Sequence, residues 1–473
     1  MEKVVKRLVF CFDGTWNEID RGDATNVAKI AQAVSLADEG VAQIVHYDEG
    51  VGTFDFEGDL SAIANQLSGA FGWGLQQNII EAYTFLILNY QPGDEIYVFG
   101  FSRGAFTARS FCGLLRNVGV VDRRHLPNLR EAIDLYISRD ADASPDTDYC
   151  RKFRYDRQNG VCLARDRDWI ERNYPEEQHH QKIDLTVKFL GVWDTVGALG
   201  LPVPKAVEEL VNKEYGFHDT RLSTFVERAR HAVAADEERR TFTPTLWSNI
   251  DDLRTEYGDC YDEKIFPGTH GSVGGGGPVV GLSDAALEWV YRGAEAAGLK
   301  FDTDAGSPLF RLQPNHQASL HNVTDKHDFN LKDWLMGVGT ETREFPNLTA
   351  DDVHQSTIDR FNDERMKNTS DGEYRPKSLE SIFEDLKNRR TEVKGVLDEE
   401  HFDFIDSEGL LKLPTDVRTH KIQPNDSLRA ISRKYYKTYE KDDLIFAYNL
   451  QIGRLHNKNK LYVGREIKIP FYA

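Results

Sequence analysis

Apolar residues gather in short, dense runs along this chain. Runs at 8–12, 42–47, 95–99 and 185–192 are closed by Asp-Gly-Thr, Asp-Glu-Gly, Gly-Phe-Ser-Arg-Gly and Trp-Asp. The last three are almost wholly apolar, the pattern of central parallel strands covered on both faces. Between them lie stretches such as 78–88, whose apolar residues recur at helical spacing. Strands alternating with helices predict an α/β fold with a mostly parallel sheet, helices on both faces and right-handed crossovers.

Two regions break this rhythm. Residues 122–183 are charged and rich in Tyr and Arg, and read as a helical cap inserted between core strands. A second polar, mostly helical stretch from about 347 to 406 reads as the end of the large domain followed by a linker. The expected boundaries are therefore 1–365 for the large domain, 366–416 for a helical linker and 417–473 for a small terminal module. In that module Ile422, Leu428, Ile431, Ile445, Leu450, Ile467 and Ile469 fit strand–helix–helix–strand. Asn425 and Asp426 are expected to open its first helix and Asn449 to end its second.

Composition sharpens this reading. A chain of 473 residues with 40 % hydrophobic and 11 % aromatic content is globular rather than disordered. Its apolar runs are too short to span a bilayer. The N-terminal apolar stretch breaks at Asp13, too early for a signal peptide, which predicts a cytoplasmic location in the producing cell. A formal charge of −19 argues against nucleic acid as a partner and against anionic lipid bound across the whole surface. The five cysteines (Cys11, Cys112, Cys150, Cys162 and Cys260) show no CxxC spacing, so reduced thiols and no zinc site are expected.

The candidate chemistry centres on GFSRG at 100–104. In a G-x-S-x-G turn between strand and helix, small residues two before and two after the serine avoid steric clash. Such a turn makes Ser102 a nucleophile, with the Arg103 N–H aimed at the developing oxyanion. A serine needs a base, and the base an orienting acid. Asp194 follows an apolar strand, at the edge where open α/β sheets collect site residues; as a plain structural residue it would be an N-cap. His270, in the glycine-rich IFPGTHGSVGGGG, is the preferred base. His231, in ARHAVAADEERR, is the alternative; it reads as helical and better suited to a structural hydrogen bond. Ser102, Asp194 and His270 also follow the Ser…Asp…His chain order of α/β-hydrolases. Asp13, Gly14 and Thr15 after the first strand are expected to shape the pocket floor, with a backbone N–H there as second oxyanion donor. Cys11 stands where an aspartyl-phosphate phosphatase would place its nucleophile, which removes that reading. No cofactor or metal is called for.

Four stretches, FCFDGTWN, VFGFSRGAFTAR, FLGVWDTVGA and FPGTHGSVGGG, resemble the α/β-hydrolase domain of type VI secretion phospholipase effectors, and ARHAVAADEERRTFTP and VHQSTIDRF resemble its accessory blocks. The resemblance implies a serine esterase or lipase with phospholipid substrates, a candidate secreted antibacterial effector. It also implies export without a signal peptide, and a secretion spike, adaptor or immunity protein as partner. The tail resembles a LysM module, which implies binding of GlcNAc-containing glycans such as peptidoglycan, with Asn425, Asp426, Ser427 and Asn449 as candidate contacts. Two other classes remain: an inactive hydrolase fold serving as glycan-binding or secretion-cargo protein, and a metal-dependent phosphatase using Asp13, Asp194 and a histidine.

Overall fold

The structure, a computed structural model, describes residues 5–14, 23–50, 77–157, 160–175, 183–197, 220–320, 340–363, 372–388, 414–424, 426–451 and 463–472, with single positions between the later segments. Thr15, Asn425, the His179–His180 pair and about half of the expected linker lie outside the described residues.

The four apolar runs form β1 (Arg7–Phe12), β3 (Val41–Asp48), β4 (Glu95–Phe101) and β7 (Phe189–Trp193). With β2 (Ala37–Asp38), β8 (Ala229–Ala234) and β9 (Tyr261–Phe266) they make one sheet in the order β2-β3-β1-β4-β7-β8-β9. Only β2, paired antiparallel with β3, departs from parallel pairing. Leu8, Phe10, Ile96, Val98, Leu190 and Val192 bury against one helical layer, which includes helix Arg103–Val118. Val9, Cys11, Tyr97, Phe99 and Phe189 bury against the other, built on Asn26–Ala33 and Gly281–Ala296. Two covered faces explain why the runs show no alternation.

The order β3-β1-β4 carries the important topology. The chain moves from β1 to one side and returns on the other, so the carboxyl ends of β1 and β4 flank a switch point where α/β sheets open a crevice. Asp13 and Ser102 follow those two strands.

Residues 122–183 are largely helical, with Leu129–Ile137, Asp148–Arg157 and Arg167–Asn173 and the short pair β5 (Val161–Cys162) and β6 (Ile183–Asp184). They join the C-terminal half of helix Arg103–Val118: Asn117 donates to Ala143 O at 2.8 Å and its carbonyl accepts from buried Arg154 at 2.7 Å. Arg154 is held bidentate by Asp166, both bonds 2.7 Å.

Two expectations are corrected. ARHAVA is β8, not a helix; a run of small apolar residues buried on both faces has no strand alternation to reveal it. Residues 372–388 are not free linker, since Tyr374, Leu379, Ile382 and Leu386 bury against Ile265, Val353 and Phe361. The segment is also bonded to the loops after β8 and β9: Tyr374 OH donates to Asp236 at 2.7 Å and Ser378 Oγ to Ala235 O at 2.7 Å.

The terminal module has β10 (Asp416–Lys421) antiparallel to β11 (Glu466–Phe471), with helices Leu428–Tyr436 and Asp442–Gln451 between them. Ile422, Leu428, Ile431, Ile445, Ile467 and Ile469 form its core. Arg465 ties it to the large domain by donating to Leu309 O at 3.0 Å.

Candidate active site

The site begins with backbone geometry at Ser102. The residue has φ 58° and ψ −123°, a conformation that costs a non-glycine residue about 1–3 kcal/mol. Its N–H is bonded to Trp193 O at 3.0 Å, which ties the turn to the end of β7. A Cβ at Gly100 would lie 2.4 Å from Gly104 O, and one at Gly104 2.1 Å from Phe12 O. Glycines at both places therefore let β1, β4 and the following helix converge under the serine.

Ser102, Asp194 and His270 meet at the carboxyl edge of the sheet. His270 Nε2 is 2.8 Å from Ser102 Oγ, and His270 Nδ1 is 2.5 Å from Asp194 Oδ2. All three are buried. His270 opens the short helix His270–Gly274 rather than lying in an open loop. Its ring is held between Phe101 and Phe242, each centroid 4.7 Å away. Its backbone N–H donates to Glu237 at 3.1 Å.

Asp194 is fully enclosed and has φ 39°. Oδ1 accepts from Ala234 N at 2.9 Å and from Arg343 Nη1 at 2.6 Å; Oδ2 accepts from Arg343 Nη2 at 2.9 Å. Burial alone would raise this carboxyl, but the Arg343 guanidinium, with His270 beside it, outweighs burial and holds it far below the ordinary carboxylate range. Glu237 behaves similarly: burial pushes it up, and Arg239, bonded at 2.7 Å, brings it below its ordinary value.

The other candidates are placed differently. His231 is fully buried, with Nε2 accepting from Thr195 N at 3.1 Å and Nδ1 2.7 Å from Glu263. Both ring nitrogens are consumed in structural bonds. Asp13 is also enclosed, and its carboxylate accepts from Gly14 N at 2.7 Å, Thr25 Oγ1 at 2.5 Å and Tyr47 OH at 2.8 Å. The Gly14 N–H expected as an oxyanion donor is therefore engaged by its neighbour. The Arg103 side chain is half-buried, and desolvation pushes its guanidinium down to about 10. Among the described residues no group of three or more His, Cys, Asp or Glu could hold a metal ion.

In the terminal module the cap of the first helix is Ser427, which accepts from Ala430 N at 3.2 Å; Asp426 instead accepts from Gln423 N at 2.7 Å and lies 2.8 Å from His420 Nε2. Asn449 is fully buried and accepts from Lys468 N at 2.7 Å while donating to Ile445 O at 2.7 Å and Lys468 O at 2.6 Å. It joins helix to strand inside the module, which corrects its expected place among the glycan contacts.

Sequence reasoning missed Arg343, Glu237, Asp236 and Tyr374. The acids Asp236 and Glu237 stand in the charged run DEERR. Their real signal was position, directly after a strand at the edge that carries the site. Arg343 sits in GTETREFPN, which has no periodicity to mark it.

Two family models match the chain. The family described as "T6SS, Phospholipase effector Tle1-like, catalytic domain" matches residues 6–293, and the LysM domain matches 420–470. An uncharacterized protein of Saccharomyces cerevisiae is 28 % identical over 246 residues, which are 50 % of this chain and 32 % of that protein. The chain thus spans about a third of the length of this curated relative. Among solved structures, an uncharacterized protein from Pseudomonas aeruginosa is 18 % identical with a TM-score of 0.35, over 63 % of this chain and 46 % of that one. The Tle1 effector, solved bound to the VgrG spike of the type 6 secretion system, is 17 % identical with a TM-score of 0.28, over 58 % of this chain and 52 % of that one. With the family's catalytic domain matched across well over half of its length, the chain belongs to the Tle1-like phospholipase effectors of the type VI secretion system.

Proposed function

We propose that the protein is a serine esterase that hydrolyses phospholipid acyl esters through Ser102, His270 and Asp194. The observation that carries this reading is the continuous bond path from Ser102 Oγ to His270 (2.8 Å) to Asp194 (2.5 Å), on a strained strand-to-helix turn. Ser102 Oγ attacks the ester carbonyl while His270 Nε2 takes its proton. Asp194 accepts the Nδ1–H and stabilises the imidazolium. The Arg103 N–H, at the start of the helix, stabilises the oxyanion. Collapse of the tetrahedral intermediate sends the His270 proton to the departing alcohol and leaves an acyl-Ser102. Water, deprotonated by His270, then releases the fatty acid.

The catalytic body extends to about residue 388, because residues 372–388 brace the loop after β8, whose Asp236 accepts from Gly268 N two residues before His270. Family membership supports export without a signal peptide from the producing cell's cytoplasm and a secretion-spike partner. The LysM match supports a GlcNAc-containing glycan as a further partner.

The test is labelling with a fluorophosphonate, together with hydrolysis of a phospholipid panel read by mass spectrometry. Covalent capture at Ser102 and fatty-acid release, both absent in Ser102→Ala, are expected. Full activity in that variant would remove Ser102 from the mechanism, and an unlabelled, inert wild type would favour the cargo or glycan-binding reading.

A further inference from the structure

Arg343 reaches the candidate centre from 149 residues beyond Asp194 and meets it on both oxygens. Nη1 lies 2.6 Å from Oδ1 and Nη2 2.9 Å from Oδ2, and Oδ2 is also the oxygen that faces His270 Nδ1 at 2.5 Å. The Asp194 side chain has no exposed surface and that of Arg343 only 3 %. Salt and bulk water therefore screen this pair far less than a surface pair. A guanidinium is a permanent cation, whereas His270 gains its charge only while it holds the Ser102 proton. At that moment one carboxylate serves two cations. The fixed one takes part of the charge that an unshared acid gives wholly to the imidazolium.

The other bonds of Arg343 act on the geometry around the ring. Nη1 also donates to Ala234 O at 2.7 Å, at the end of β8, and Nη2 to Phe242 O at 2.6 Å. The Phe242 ring meets the His270 ring edge-on at 4.7 Å, and the Arg239 guanidinium lies 3.7 Å over Phe242. Arg343 thus holds both the acid that orients His270 and the aromatic wall beside it. Asp194 depends on such bonds, because its φ of 39° is a left-handed conformation that persists only where the surroundings determine it.

We infer, resting on the esterase reading above, that Arg343 is a positioning residue of this centre: it aims the Asp194 carboxylate at His270 and damps its charge, so that hydrolysis persists to lower pH than it would without the cation. The sign follows from electrostatics. Without the cation the whole Asp194 charge favours the imidazolium, the base is protonated at higher pH, and the acid limb of activity moves up. Other charged groups stand about the ring on the loops that pack against it. Glu237 accepts the His270 N–H at 3.1 Å, Arg239 is bonded to Glu237 at 2.7 Å, and Asp236 accepts from Gly268 N at 2.6 Å. Arg103 follows Ser102 in the chain, and His231 with Glu263 lies behind Thr195. All of these are common to wild type and an Arg343 variant, so they cancel in the comparison.

The test is the pH profile of kcat/KM for p-nitrophenyl butyrate, with rates counted per Ser102 captured at the end point by a fluorophosphonate. Wild type should keep at least half of its plateau at about pH 6.5, where an imidazole beside an undamped buried carboxylate is mostly protonated. Less than half overturns the inference without any variant. Arg343→Gln should move the acid limb up by about one pH unit and lower kcat about tenfold or more, with KM within about threefold. Arg343→Lys keeps a cation but cannot hold both oxygens, so it should lower kcat while leaving the acid limb within about 0.3 unit of wild type. A merely structural arginine would reduce the number of captured sites and leave the profile per site unchanged. A folded Gln variant with the wild-type acid limb, or a Lys variant whose limb moves as far as that of Gln, overturns the inference. Where neither variant folds, the wild-type limb decides. Failure of the esterase reading looks different: wild type is then neither captured at Ser102 nor hydrolytic, whereas an active wild type with unmoved Arg343 variants removes the role of Arg343 alone.

Discussion

Arg343 grips Asp194 with both ends of its guanidinium, at 2.6 and 2.9 Å, while also donating to the carbonyls of Ala234 (2.7 Å) and Phe242 (2.6 Å). The ion pair is buried on both sides. Replacing Arg343 by Gln would leave an enclosed carboxylate without its cation, at a cost of about 3–5 kcal/mol in denaturant unfolding. Lys should recover little, because one ammonium cannot serve four acceptors arranged for a planar fork. The pH dependence follows from the depressed Asp194 carboxyl. Its stabilisation is fully present above the unfolded value of about 4 and is lost as pH falls below it, toward the folded value. Wild-type stability should therefore drop on acidification below about pH 4, and the Gln variant should lose much of that slope.

Ser102 itself offers a separation of stability from chemistry. Its φ of 58° is unfavourable for any residue with a Cβ. Ser102→Ala keeps the strain and should unfold within about 0.5 kcal/mol of wild type while losing hydrolysis. Ser102→Gly relieves the strain and should be stabilised by about 1 kcal/mol, equally inactive. A glycine variant less stable than the alanine variant would show that the turn stores no strain.

The glycines around the serine are constrained by backbone, not by movable side chains. Gly104→Ala would press a methyl to 2.1 Å from Phe12 O, and neither β1 nor the helix can yield without displacing Ser102. Loss of at least about 2–3 kcal/mol of stability and of most activity is expected. Gly306→Ala, whose nearest neighbour is the Asp304 side chain at 3.2 Å, serves as a tolerated comparison.

Much of this was legible in the sequence because the informative residues announce themselves locally. Dense apolar runs revealed β1, β3, β4 and β7, and G-x-S-x-G marked a turn whose strain follows from its two glycines. What stayed hidden depends on partners far along the chain. ARHAVA looked helical because burial on both faces removes alternation, and its neighbours β7 and β9 decide its conformation. Arg343 lies 149 residues from Asp194, and no spacing rule connects them. Tyr374 was read as linker because its flanks are polar, yet its ring is buried and its hydroxyl reaches Asp236. Asn449 and Asp426 were visible as cap-type residues, but which bond each makes is set by tertiary contacts.

The brace at 372–388 predicts a sharp truncation boundary. A chain ended after residue 365 would lose Tyr374, Leu379, Ile382 and Leu386 from a shared core, exposing Ile265 and Val353 beside the loop that leads to His270. Asp236, which also accepts from Gly268 N at 2.6 Å, would lose its Tyr374 bond. Such a chain should be poorly soluble or inactive. A chain ended after residue 412 keeps the brace, and should retain ester hydrolysis within a few-fold if the terminal module is not part of catalysis.

Asn449 distinguishes module stability from ligand contact. Its side chain satisfies the Lys468 N–H and two carbonyls from a fully buried position, so Asn449→Ala leaves three backbone groups to find other partners. Removing such bonds should cost about 2–4 kcal/mol, most of what a module this small can supply. Ser427→Ala, which removes only the exposed helix cap, should cost about 1 kcal/mol. Limited proteolysis of the full chain should therefore release the terminal module as fragments in the Asn449 variant and leave it intact in the Ser427 variant. Peptidoglycan pull-down should fall with unfolding in the former. A folded, protease-resistant Asn449→Ala module would contradict the structural role assigned to this asparagine.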